Sequence, residues 1–143
     1  MENYYVEKQT AEESGIYIIV NIMDAKAYVG KATDLSNRTH KQDLRRKFDN
    51  QNLQADYDKG VKLVYFKLFY DTNYNDYLFN YEKFYMTLVE DYGGFELYNR
   101  NGSGMFQKQY IHKSYFLVGN IRRRIVRQTN SLLDNQDGKG WFH

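Results

Sequence analysis

From residue 15 the chain alternates, with Ile16, Ile18 and Val20 interleaved with Tyr17 and Ile19. A period of two predicts a strand with different chemistry on its two faces. The polar turn MDAK interrupts it, and residues 27–31 return as the second arm of a hairpin whose arms are about five to seven residues long. DLSNRTHKQDLRRKFDN reads as a helix over about 34–50, capped by Thr33 or Asp34, with acids early and RRK late as the helix dipole favours. QNLQADYDKG then reads as a polar connection. VKLVYFKLFY, 61–70, is the strongest strand pattern in the chain, and its apolar character on both faces predicts a central place in a sheet. Leu78, Tyr81, Tyr85, Leu88 and Val89 recur at helical spacing, which predicts a helix over about 76–92 stopped by DYGG. FELYNRNGSG is a short extended piece entering a Gly-rich turn, and a basic amphipathic helix is predicted around 115–133, through NIRRRIVRQ.

These elements predict an α/β fold of the α+β kind, a small, mostly antiparallel central sheet flanked by helices, with a basic helical C-terminal extension. At 143 residues the chain fits one domain and can bury a sizeable core. The expected division is 1–104 for the domain and 105–143 for an extension packed on it or continuing it. Charge sharpens that division. Residues 1–104 hold 13 Lys and Arg against 16 Asp and Glu, whereas 105–143 hold 7 against 2. Such asymmetry suits an anionic partner for the tail, and a solvated basic helix face accounts for it equally well.

No apolar run approaches the roughly 20 residues that span a bilayer, and MENYYVEKQTAEESG lacks the basic and apolar regions of a secretion signal. A cytoplasmic protein is expected. With no cysteine, disulfides and thiolate metal sites are excluded, and with three scattered histidines a structural zinc site is not expected, so any metal ion is expected on carboxylates. DNQDG near the C-terminus lacks the alternating acids and distal glutamate of a calcium loop.

One charged residue breaks the apolar pattern of the 76–92 helix. Glu82 stands four after Leu78 and three before Tyr85, on or beside the packing face, where a charge needs a partner or a task. In the hairpin, a plausible register projects the phenols of Tyr17 and Tyr28 to one side, while Gly15 and Gly30 leave the backbone bare where another chain could approach. Aromatic packing is the default for any one of 15 tyrosines. A phenol pair, the guanidinium of Arg38 and the Glu82 carboxylate nonetheless form a set suited to phosphodiester hydrolysis.

GIY, ten residues, YVG, then Arg38, Glu82 within YEKFY and Asn99 within LYNRNGSG together resemble the GIY-YIG nuclease family. YVGKATDLSNR is similar to the form found in repair nucleases of that family. The resemblance covers about residues 13–101. It implies a metal-dependent endonuclease that hydrolyses DNA with a single magnesium or manganese ion held by Glu82. Tyr17 would activate water, with Lys31 placed to lower its phenol by charge proximity. Tyr28 would position water or the scissile phosphate, Arg38 would stabilise the transition state, and Asn99 would hold the site together. Many members place a histidine four residues after the arginine; this chain has Gln42 there and His40 two after, which leaves the general base open between Tyr17 and His40. Backbone contacts to DNA are expected from Lys41, Arg45 and Arg46 and from Arg122, Arg123, Arg124 and Arg127. The other reading is a non-catalytic nucleic-acid-binding module, or the nuclease fragment of a larger DNA-processing protein.

Overall fold

The computed structural model describes residues 3–7, 14–32, 35, 47–71, 78–99 and 115–136. Five strands form one sheet: β1 (Tyr4–Val6), β2 (Ser14–Asn21), β3 (Lys26–Ala32), β4 (Leu63–Asp71) and β5 (Glu96–Leu97). Among the described residues three helices of eight residues or more accompany them: α1 (Gln51–Asp58), α2 (Leu78–Thr87) and α3 (Tyr115–Gln136). The spatial order is β1-β4-β2-β3-β5. Its central pairs, β2 with β3 and β2 with β4, are antiparallel, and the short outer strands run parallel to their neighbours. The mostly antiparallel α+β architecture expected from the sequence is therefore present.

Strand β4 is interior, as its two apolar faces predict, with β1 on one side and β2 on the other, and all eight residues of β2 are buried. Two details differ from expectation. The polar stretch after residue 50 is not a connection but helix α1. Asn50 caps α1 by accepting from the Leu53 N–H at 3.0 Å, and Gly60, at φ +88°, ends it in a left-handed turn closed by Val61 N–H to Asp56 O at 3.1 Å. A helix running through to 50 is thus excluded at its end: Lys47 and Phe48 are not helical. Within the expected helix, Leu35 is helical and buried, and its other residues up to 46 lie outside the described set.

Each face of the sheet buries a separate apolar cluster. On one, Ile16, Ile18, Val20 and Val29 meet Tyr85, Met86 and Leu88 from α2 and the turn after it, and Ile121, Ile125 and Leu132 from α3. On the other, Tyr17, Ile19 and Tyr65 meet Leu35, Phe48, Leu53 of α1 and Tyr98. Helix α2 passes into a single π-helical turn, Leu88–Tyr92, closed by Gly93 N–H to Leu88 O at 2.7 Å. Among the described residues, no helix is long and apolar enough to cross a membrane.

Candidate active site

The hairpin register pairs Tyr17 with Gly30 and Ile19 with Tyr28. Facing residues of an antiparallel pair share a side, so Tyr17, Tyr28 and Gly30 all project to the α1 face. The Tyr17 ring stacks on Tyr65 (5.2 Å between centroids, 26° between planes) and sits 6.2 Å from the Tyr28 ring. It is 1% exposed. A Cβ at residue 30 would overlap the Tyr17 Cζ and Oη and stand 2.8 Å from Cε1. The bare backbone of Gly30 therefore admits a ring of its own chain rather than another chain, as the sequence had suggested. The Tyr17 phenol reaches across β3, toward the edge of the sheet.

That edge is where the site forms. Strand β5 covers only Lys26 and Ala27. Beyond them a side chain takes over the role of a strand: Asn99 Oδ1 accepts from the Val29 N–H at 3.0 Å, and Asn99 Nδ2 donates to the Val29 carbonyl at 2.8 Å. Beside it opens a cleft of about 340 Å³ lined by Tyr28, Asp49, Asn50, Glu82, Lys83, Met86 and Asn99.

Glu82 arrives from α2, one helical turn before the buried Tyr85 and Met86, which seat that helix on the sheet. The same face that buries its neighbours leaves Glu82 half-buried at the cleft. Burial pushes its carboxyl above the ordinary value, and the positive charges of Lys31 and then Lys83 pull it back. Lys31 pairs with Ile16 on the face opposite Tyr17, so its charge bears on the carboxylate.

The structure thus brings Tyr28, Glu82 and Asn99 together around one cleft, with Lys31 acting on Glu82. Tyr17 is not among the lining residues; its ring lies 6.2 Å from that of Tyr28, which is. Arg38, His40, Lys41, Arg45 and Arg46 lie outside the described residues. The four tail arginines are on α3, and none lines the cleft. Arg122 donates to the Gly93 carbonyl at 2.7 Å, with its guanidinium 5.3 Å from the centre of the Phe95 ring. Arg124 donates to the Leu68 carbonyl at 2.7 Å and hydrogen-bonds the Tyr85 phenol. Leu68 is the extra residue at a bulge, where Ile16 and Tyr17 face Phe69 and Lys67. Arg123 donates to Asn120 Oδ1 of its own helix at 3.5 Å.

Asp49, Asn50 and Lys83 are cleft residues that sequence reasoning missed. Lys83 had a local pointer in its adjacency to Glu82. The other two were hidden by reading 34–50 as one helix, although Asn50 ahead of QNLQADYD is a cap pattern. Among the described residues no three of His, Cys, Asp and Glu gather, so a cation in the cleft would rest on Glu82, with Asp49 the other carboxylate there. One or two carboxylates completed by water is the donor set that suits magnesium or manganese.

A family model described as the GIY-YIG catalytic domain matches residues 13–94. That span takes in β2, β3, α1, β4, α2 and every cleft residue except Asn99. Comparisons with curated proteins and with solved structures return no match.

Proposed function

This chain belongs to the GIY-YIG family of nucleases, which act on DNA, and on that premise we propose that it is a metal-dependent endonuclease using a single magnesium or manganese ion. The observation that carries the reading is the cleft at the open edge of β3, where Glu82, Tyr28 and Asn99 meet inside or directly beside the matched span. Glu82 is the residue that would hold the ion, and its half-buried carboxylate, raised by desolvation, favours a cation as partner. When bound, such an ion polarises a phosphoryl oxygen and offsets the charge of the reaction.

The chain's own residues supply the rest. Tyr28, the hairpin phenol that lines the cleft, orients the attacking water by hydrogen bonding. Tyr17 keeps Tyr28 in place from behind, through ring contact. Lys83, on the cleft wall, and Lys31, close enough to act on Glu82, draw the phosphate backbone in. Asn99 holds the β3 edge in register and so fixes Tyr28 relative to Glu82. Arg38, by resemblance, meets the charge that develops on the transferred phosphoryl group.

Nicking of supercoiled plasmid with magnesium or manganese tests this. The wild type is expected to nick and Glu82→Gln to lose nicking while keeping its DNA affinity, since the change removes a ligand and adds no repulsion toward phosphate. Wild-type nicking by Glu82→Gln would move the metal site elsewhere. Binding without nicking in both ions would leave a nucleic-acid-binding module.

A further inference from the structure

We propose that Tyr98 is a positioning residue for the cleft, fastening α1 to the β3 edge so that Asn50 and Asn99 are held in the cleft wall. Its ring is 5% exposed within the α1-side cluster. Its backbone N–H donates to the Ala27 carbonyl at 2.8 Å, and the next residue is the asparagine that clamps Val29. Its own carbonyl accepts from Asn50 Nδ2 at 2.9 Å. The same Asn50 caps α1 and lines the cleft.

The hydroxyl end is equally committed. It donates to Asp56 Oδ2 at 2.5 Å and accepts from Asn21 Nδ2 at 3.1 Å. Asn21 also donates to Asp24 Oδ2 at 2.9 Å, which anchors the network in the hairpin turn. One tyrosine therefore grips α1 at two points six residues apart, about 9 Å along the helix axis. The carbonyl holds the N-cap and the hydroxyl holds the last turn. Letting the hydroxyl go leaves α1 held by Tyr98 at the Asn50 point alone, so the helix can swivel there, and that is the end that carries Asp49 and Asn50 into the cleft.

This inference rests on the nuclease reading for its activity readout and has a second readout that does not. Tyr98→Phe keeps the packed ring and removes only the hydroxyl. At a temperature where circular dichroism shows it folded, kcat for nicking is expected to fall about tenfold, with DNA affinity within about twofold of wild type. Asp56→Ala, which leaves the ring untouched, should do the same, and Asp56→Asn, which retains an acceptor, should restore most of the rate. In parallel, hydrogen exchange at the Val29 N–H, donated to Asn99, should quicken about tenfold in Tyr98→Phe relative to its β2 neighbours. An unchanged kcat in folded Tyr98→Phe overturns the positioning role. If the wild type does not nick DNA at all, the nuclease reading has failed, and unchanged exchange at Val29 then overturns this inference by itself.

Discussion

Tyr17 and Gly30 face each other across β2 and β3, and the phenol of the first fills the space that a side chain on the second would need. The two halves of the hairpin motif are thus one packing unit. Gly30→Ala is expected to cost about 1–3 kcal/mol through overpacking, because the ring is also stacked on Tyr65 and has little room to move. Its displacement would push on Tyr28, so nicking should fall as well. In the double variant Tyr17→Leu/Gly30→Ala the two stability losses should be markedly less than additive. Additive losses in urea titrations would mean that the two residues are independent.

The edge clamp makes a prediction of its own. Asn99→Ala removes two hydrogen bonds and should cost about 1–3 kcal/mol. Asn99→Asp is the more informative change. Its carboxylate still accepts from the Val29 N–H but meets the Val29 carbonyl where an amide donated. That contact raises the carboxyl in the folded state, so the folded chain binds the extra proton more tightly than the unfolded one. The variant's stability is then fullest below the ordinary aspartate value of about 3.9 and is lost as pH rises through the raised folded value. Urea midpoints for this variant should lie nearer wild type at pH 4 than at pH 7, and the reverse order would contradict the clamp.

How much of this was legible depended on whether a feature is local. The hairpin, β4, α2 and α3 announce themselves through periods of two and 3.6 in their own residues. Strand β1 does not: three residues in an acidic stretch pair in parallel with β4, and only that long-range partner makes Tyr4–Val6 a strand. Helix α1 buries only Leu53 and carries a polar surface, so its pattern resembles a loop until its two caps are seen. The same division holds at the site. Tyr28, Glu82 and Asn99 could be picked out because they sit in recognisable short motifs. Asp49 and Asn50 stand in the cleft wall where the Asn50 amide donates to the Tyr98 carbonyl, a relation with no local trace. The arginines of α3 showed their charge in the sequence but not that two of them bind backbone carbonyls, one of these at a bulge.

Alkaline stability should report the Tyr98 network directly. Burial first, and then the hydrogen bond to Asp56, pushes its phenol well above the ordinary value, whereas in the unfolded chain it titrates near 10. The folded state therefore holds a proton that the unfolded state has lost once pH exceeds 10. By linkage, this stabilisation is fully present below pH 10 and is lost as pH rises toward the folded value. Tyr98→Phe cannot titrate, so its unfolding free energy should fall less steeply than wild type between about pH 10 and pH 12. Parallel slopes would show that the phenol is not held neutral by the fold.

The arginines of α3 separate into two pairs with different expected roles. Arg122 and Arg124 hold the helix to the body through the Gly93 and Leu68 carbonyls, so converting both to Gln should lower stability by about 1–3 kcal/mol. Arg123 and Arg127 are exposed and four residues apart, which places them on one face of the helix. If that stripe meets DNA, it does so at phosphates, by releasing counterions, and base preference should barely change. Arg123→Gln/Arg127→Gln should then leave the melting temperature near wild type while flattening the slope of log affinity against log salt by up to about 1.8 units. Glutamine keeps most of the aliphatic stem, so lost packing cannot mimic the effect. Neither residue lines the cleft, and turnover at saturating DNA should survive these changes. An unchanged salt slope would make α3 a packing helix alone and would move the DNA track to Lys31, Lys41, Arg45 and Arg46.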